Sequence, residues 1–172
     1  MRTDRKQILG AGALILISAV LPYSSFAQSE DAHHHEMVAR GDAEMGFDAA
    51  KTAHHFLLSD SGGAIEVSAN DPKDTASREA IQHHLAHIAR QFQAGDFEIP
   101  MLVHDQVPPG APVMKRLKAA ISYKYVPTDR GARVVISTRN REALSAIHDF
   151  LRFQIEEHRT GDPTELPHSP SP

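Results

Sequence analysis

The pattern of apolar and polar positions runs twice through the same order of elements, which is strand, strand and helix. In the first half, residues 54–59 and 64–69 are predicted strands, because apolar and polar positions alternate along the second and a glycine turn joins the two. Residues 76–94 are a predicted helix that ends at Gly95. Its apolar positions recur every three to four residues and form one stripe, made of Ile81, Leu85, Ile88 and Phe92.

The second half repeats this order. Residues 120–126 and 133–137 are predicted strands, and residues 141–158 are a predicted helix with Gly161 just beyond it. A ββα unit cannot cover its own sheet face, so two such units are expected to share one sheet. The predicted fold class is therefore α+β: two ββα units form a four-stranded antiparallel sheet with two long helices on one face, plus a short extra helix.

The connection between the two units carries weaker signals. Residues 97–104 are predicted to form a short extra strand that Pro100 interrupts. After a loop at residues 108–110, the extra helix is expected over residues 113–120, entered at Pro112.

The two ends of the chain differ from the middle in composition. Residues 1–27 combine a basic start, a short apolar run and small residues before Gln28, which predicts a signal peptide cleaved between Ala27 and Gln28. We therefore expect a periplasmic or secreted protein with no stable membrane insertion after cleavage. Residues 28–50 read as a flexible, histidine-bearing arm, residues 51–162 as a single α+β domain, and residues 163–172 as a disordered proline-rich tail.

Composition limits the partners and the chemistry. The formal charge of −4 at pH 7 argues against nucleic acid as a partner. The chain has no cysteine, so disulfides and thiol chemistry are excluded. The sequence contains neither a nucleophile elbow, nor a phosphate-binding glycine loop, nor a His-Glu-x-x-His motif, and thus no recognisable catalytic set. A hydrolase that uses His104 and Asp105 would lack a nucleophile.

Histidine is the chemical signal that stands out, with twelve in 172 residues. Imidazole is the commonest protein ligand for transition metals, so we expect a copper, zinc or nickel ion as cofactor. His83 and His87 lie four residues apart on the predicted helix and His84 lies beside them, so the three form one band of its surface. This band is the predicted core of a metal site, which a ligand from elsewhere would complete.

The other histidines have competing interpretations. His104 with Met101 would suit copper, or His104 is a turn residue and Met101 fills a gap in the core. His54 and His55 are neighbours on a strand and point to opposite faces, so only one of them can join a given site. Structural roles are expected for His148, as a half-buried core residue, and for His158, at a helix C-terminus, whereas residues 33–35 form a loose histidine triplet.

Two resemblances to known proteins are visible in the sequence. Residues 137–141, Ser-Thr-Arg-Asn-Arg, resemble the Ser-Thr-Arg-Thr-Arg carbamoyl-phosphate loop of aspartate and ornithine carbamoyltransferases, which also lies between a strand and a helix. Most of residues 45–162 is similar to a group of small exported bacterial proteins, some of which carry the name aspartate carbamoyltransferase. The segments that carry this similarity are residues 45–47, 54–56, 62–67, 84–88, 112–117 and 147–155.

The resemblance implies one exported domain, whereas carbamoyl transfer disagrees with the chain. That enzyme closes two α/β domains over its substrates, and this chain is too short to form both. The fourth residue of the loop is Asn140 in place of threonine, and the cysteines of that enzyme's zinc-bearing regulatory chain are missing. An exported protein would also be separated from the cytosolic phosphate substrate.

Two functional hypotheses follow. The first is a periplasmic transition-metal binding protein, for buffering or delivery, whose ligands come from His83, His84 and His87 together with His104 or with one of His54 and His55. The alternative is a non-catalytic periplasmic domain that binds a protein or ligand and carries incidental histidines. Its contact surface would then come from Phe56, Tyr123, Tyr125 and Arg133.

Overall fold

The computed structural model describes residues 24–166. Four strands of eight residues each form one antiparallel sheet in the order β1-β2-β4-β3. The strands are β1 (Thr52–Ser59), β2 (Gly62–Ala69), β3 (Ile121–Thr128) and β4 (Gly131–Thr138). The helices are α1 (Ser24–Met45), α2 (Thr75–Ala94), α3 (Glu98–His104), α4 (Ala111–Arg116) and α5 (Arg141–Glu157), and short 3-10 turns lie at Ala49–Lys51 and Lys118–Ala120.

This architecture confirms the predicted α+β fold of two ββα units. The hairpins pair Ser59 with Gly62 and Thr128 with Gly131, so each turn has two residues. The units join where β2 pairs with β4, which places Glu66 opposite Arg133. Because β2 and β4 are the central strands, the sheet is continuous across both units.

The helix ends follow local rules. Asp74 caps α2 by accepting a hydrogen bond from the Ser77 backbone N–H, and Gly95 closes the helix at a φ of 79°. Asn140 caps α5 in the same way, accepting from the Ala143 backbone N–H. These caps satisfy N–H groups that the first turn of a helix leaves unpaired, so the helix boundaries lie close to those predicted.

One hydrophobic core lies between the sheet and helices α2 and α5. It joins inward residues of the strands to the apolar stripes of both helices. Close approach of α5 depends on Gly63, where an added Cβ would lie 2.4 Å from Leu151 Cδ1 and 2.3 Å from the Leu57 carbonyl oxygen. The largest fully buried side chains of the core helices are Ile81, Leu85, Ile147, Phe150 and Leu151.

The predicted extra strand at residues 97–104 is wrong, because this segment forms helix α3 (Glu98–His104). Pro100 lies in the first turn, where its missing N–H would have no intrahelical partner in any case. The helix ends at Asp105, whose φ of 52° is left-handed. A proline that argues against a strand is therefore compatible with a helix start.

The predicted arm also differs from the structure, since helix α1 (Ser24–Met45) covers most of residues 28–50. Met37 anchors it with 1% exposure, and Arg40 Nε donates to the Val103 carbonyl oxygen of α3 at 2.9 Å. Among the α1 residues whose burial the structure describes, Met37 is the one buried side chain, and one such position creates no apolar periodicity in the sequence.

The first residues of the predicted tail contact the rest of the domain. Arg152 Nε donates to the Thr164 carbonyl oxygen at 2.9 Å, and Leu166 packs against the core. Residues 1–23 and 167–172, with most of the predicted signal peptide, lie outside the described residues, and the predicted cleavage position falls within α1. Within residues 24–166, no helix is both long and apolar enough to cross a membrane.

Candidate functional site: a histidine-lined pocket

A small internal pocket lies where α2, α3 and α5 meet the sheet, and four histidines line it. Its volume is about 70 Å³, which is enough for an ion with a few water molecules. We call it the histidine pocket. Its described lining consists of Met45, His54, Phe56, Ile65, Val67, His84, Leu85, Ile88, Phe92, Ile99, Pro100, Val103, His104, Phe150, Gln154 and His158.

Each of the four histidines comes from a different element. His54 lies on β1, two residues before the buried Phe56 and therefore on the same, helix-facing side. His84 belongs to the buried stripe of α2, and His104 is the last residue of α3. His158 caps the C-terminus of α5, one turn beyond Gln154.

The rings are close enough to act together. The ring centroids of His54 and His158 lie 5.8 Å apart with nearly parallel planes, at 14°. Those of His104 and His158 lie 5.1 Å apart and are nearly perpendicular, at 88°. Phe47 lies between His54 and His84: its ring centroid is 6.0 Å from that of His54 and 5.7 Å from that of His84. His158 is therefore the centre of a connected group of imidazoles.

Two nitrogen atoms of this group are buried without a hydrogen-bond partner in the described part of the chain, His54 Nε2 and His104 Nδ1. The other nitrogen of His104, Nε2, lies 3.0 Å from Gln154 Oε1. An amide oxygen only accepts, so Nε2 carries the proton and Nδ1 carries the lone pair. Glu157 Oε2 is the nearest carboxylate oxygen, 3.7 Å from that Nδ1.

Burial keeps these imidazoles neutral. Desolvation, helped by repulsion from His55, lowers the pKa of His54 to about 4. Desolvation and the neighbouring His54 lower the pKa of His84 to about 4 as well. The pKa of His158 is depressed well below its usual value by burial and then by His54 and His104.

The pKa of His104 is also lowered by burial, although the hydrogen bond that it donates to Gln154 and the charge of Glu157 oppose that shift. At neutral pH all four rings are therefore uncharged. A neutral imidazole offers one lone pair, which is the form that binds metal ions.

In the structure, the three histidines of the predicted helical band, His83, His84 and His87, do not share one environment. His84 is buried at 9% exposure, whereas His83 and His87 are exposed. The three therefore do not form one site: adjacent helical residues lie 100° apart, and only His84 falls on the stripe that faces the sheet. Of the predicted ligands, the structure brings together His54, His84 and His104.

His55 points away from the pocket. Its Nδ1 lies 2.9 Å from Asp162 Oδ1, and the other carboxylate oxygen of Asp162 accepts from the Phe56 backbone N–H at 2.9 Å. Met101, which we paired with His104, is 40% exposed and fills no core gap. The strand alternation that separates His54 from His55 was predicted, but the sequence did not indicate which of them faces inward.

Sequence reasoning missed His158, Gln154 and Met45 as pocket residues. Residues 147, 151, 154 and 158 continue one stripe along the inner side of α5, so this spacing could have placed His158 inside. His148 does have the structural role that we expected. Its Nε2 lies 2.9 Å from the Ser59 carbonyl oxygen and 3.1 Å from that of Gly62, at the β1-β2 turn.

A groove of about 500 Å³ between α1 and β1 adjoins the histidine pocket. Met45, His54 and His158 line both, so the pocket and the groove are neighbouring cavities. His34 and His35 of the predicted triplet line the groove. The triplet is therefore part of a helix beside the pocket, and His33 Nε2 lies 3.2 Å from Glu157 Oε2.

Two of the four residues that the alternative hypothesis predicts as a contact surface are buried. Phe56 and Tyr123 are 4% and 8% exposed, on the side of the sheet that the helices cover. Arg133 is accessible but forms a salt bridge with Glu66 on the neighbouring strand. Tyr123 and Tyr125 line a groove beside α2, and neither Phe56 nor Arg133 is part of its described lining.

As the rings stand, residues 24–166 contain no group of three or more histidine, aspartate or glutamate side chains that could hold a metal ion. The histidine pocket is thus a connected set of neutral rings and not a formed coordination sphere. A scan against models of protein families, a search of curated proteins and a search of solved structures each found no match to this chain.

Proposed function

We propose that the protein binds a transition-metal ion, copper, zinc or nickel, in the histidine pocket. The observation that carries this proposal is the convergence of His54, His84, His104 and His158 on one cavity, with two ring nitrogens buried and unpaired in the described structure. A buried polar atom without a partner costs about 1–3 kcal/mol. A bound metal ion would remove this cost.

The hydrogen bond between His104 and Gln154 supports the proposal. Metal-binding histidines commonly donate their second ring N–H to a neighbouring acceptor, which fixes the tautomer and the direction of the ligand nitrogen. Gln154 Oε1 accepts from His104 Nε2 at 3.0 Å and leaves Nδ1 as the ligand atom.

Binding would require the rings to turn, since the described side chains do not yet surround a common point. The cavity of about 70 Å³ leaves room for such rotation. His158 would take part in this rearrangement most directly, because its ring centroid is within 6 Å of the ring centroids of both His54 and His104. An ion between these rings would have nitrogen ligands at about 2.0–2.1 Å, the usual zinc to imidazole distance.

The test is metal content and affinity in matched variants. Protein expressed from the full chain would carry His33→Ala, His34→Ala and His35→Ala as a background, which removes the surface triplet as a loose site. In this background, His54→Gln and His158→Gln should each weaken binding by about 10–100-fold in calorimetric titrations. The matched control is His83→Ala with His87→Ala, two exposed histidines of α2, which should leave binding unchanged.

Equal metal content and affinity in the pocket variants and in the control would overturn the proposal, provided that circular dichroism shows the variants folded. Loss of binding only in the control variant would show that the metal binds at the exposed His83 and His87 of α2. With the predicted export signal, a reversible metal site of this kind suits buffering or delivery of a metal ion outside the cytoplasm.

A further inference from the structure

We infer that the ion for which this pocket is suited is cuprous copper, Cu⁺, an inference that rests on the metal-binding function proposed above. The first observation is the charge of the lining. None of the described residues that line the pocket is an aspartate, glutamate, lysine or arginine. All the ligands on offer are uncharged imidazole, thioether and amide groups.

The charge of the ion determines the free-energy cost of placing it in such an uncharged lining. The free energy of moving an ion from water into a low-dielectric interior grows with the square of its charge, so a divalent ion costs about four times as much as a monovalent one of equal size. The rest of this lining is hydrocarbon, including Ile88, Phe92 and Phe150. The lining itself offers no negative charge to a bound ion, so Zn²⁺ or Ni²⁺ would need a carboxylate from outside the lining more than Cu⁺ would.

The chemistry of the ligands points the same way. Thioether sulfur selects Cu⁺ among the common ions, and imidazole binds copper in either oxidation state. Met45, the last residue of α1, lines the pocket, as His54 and His158 do. Cu⁺ also accepts few ligands, so a pair of imidazoles with one sulfur would suffice. This agrees with rings that meet in pairs, at centroid distances of 5.1 Å and 5.8 Å.

Glu157 is the carboxylate through which a divalent ion could be accommodated, and it lies outside the lining. Its Oε2 is 3.2 Å from His33 Nε2 on the surface side and 3.7 Å from the buried His104 Nδ1. A divalent ion would draw Glu157 inward as a charged ligand, whereas Cu⁺ would not need it. Glu157→Gln should therefore weaken the binding of a divalent ion and leave the binding of Cu⁺ unchanged.

The experiment is an anaerobic titration of the full chain, with the triplet His33–His35 replaced by alanine, against Cu⁺ in competition with a chromophoric Cu⁺ chelator. Parallel titrations use Zn²⁺, Ni²⁺ and Cu²⁺. We expect one Cu⁺ per chain, with a Kd at least about 100-fold below that for Zn²⁺. X-ray absorption should show nitrogen ligands together with one sulfur.

Three variants sharpen the test. Met45→Leu should raise the Kd for Cu⁺ about ten-fold and leave that for Zn²⁺ unchanged, while Met101→Leu, a methionine that is 40% exposed, should change neither. Glu157→Gln should leave Cu⁺ binding intact. Zn²⁺ binding as tight as that of Cu⁺, absence of sulfur from the absorption spectrum, or loss of Cu⁺ in Glu157→Gln would overturn the inference and leave the metal-binding function standing. If none of the four ions binds, the metal-binding function itself fails.

Discussion

His104 and Gln154 lie fifty residues apart in the chain and form a buried hydrogen bond, with His104 Nε2 3.0 Å from Gln154 Oε1. His104 is 1% exposed and Gln154 is 4% exposed. The bond connects the end of α3 to the inner side of α5 and sets the proton on Nε2. The orientation of the pocket's most buried ring thus depends on a residue that is not itself a histidine.

Removing this acceptor should destabilise the protein. Gln154→Leu leaves the buried His104 Nε2–H without a partner, and we expect the free energy of unfolding in urea to fall by about 1–3 kcal/mol. The double variant His104→Phe, Gln154→Leu replaces both partners by apolar groups and should lose less than the sum of the two single variants. Strictly additive effects in this cycle would contradict a bond that fixes the ring.

Stability should depend on pH through the neutral rings. His54 and His84 each have a pKa of about 4 in the folded protein against 6.5 when unfolded. Between these values the unfolded chain binds protons that the folded chain excludes, so the stability is full above about pH 7 and falls as the pH is lowered towards 4. Urea unfolding measured from pH 7.5 to pH 4.5 would show this loss.

The source of that pH dependence can be located by substitution. The titratable groups that face His84 are His54 on β1 and His83 and His87 on its own helix. His84→Phe should flatten the pH dependence, because one neutral buried imidazole is removed, whereas His87→Ala on the exposed side should change the slope much less. A slope that is the same in wild type and His84→Phe would show that protons are taken up elsewhere.

Gly63 should tolerate no side chain. In Gly63→Ala the Cβ would lie 2.4 Å from Leu151 Cδ1 and 2.3 Å from the Leu57 carbonyl oxygen, so either α5 or strand β1 must move. We expect a loss of about 1–3 kcal/mol in the free energy of unfolding. Gly63→Ala with Leu151→Ala should not recover the loss fully, since the contact with the backbone oxygen remains. Wild-type stability of Gly63→Ala would refute the close approach.

Helix α1 should detach when its anchor is removed. Met37 is 1% exposed, and truncating a buried methionine to alanine costs about 2–5 kcal/mol. In Met37→Ala the amides of α1 should lose protection in hydrogen exchange, while those of the four-stranded sheet keep it. Glu36→Ala, on the exposed side of the same helix, is the control. Equal protection of α1 in both variants would mean that Met37 is not the anchor.

Local rules were sufficient to predict most of the fold. Alternation along β2, the apolar stripe of α2 and the glycine at residue 95 are properties of short segments, and the structure contains the elements that they predict. They failed at α3, because Pro100 is compatible with a helix start as well as with a broken strand. They also failed at α1, where one buried methionine makes the contact.

The sequence by itself determined that histidine is abundant, that cysteine is absent, and that one face of each predicted element is apolar. Only the tertiary structure decided which histidines meet. His54, His84, His104 and His158 come from four separate elements, and the rotation of each element about its own axis selects the ring that faces inward. That rotation follows from packing across the whole core, so His84 is buried while His83 beside it is exposed to solvent.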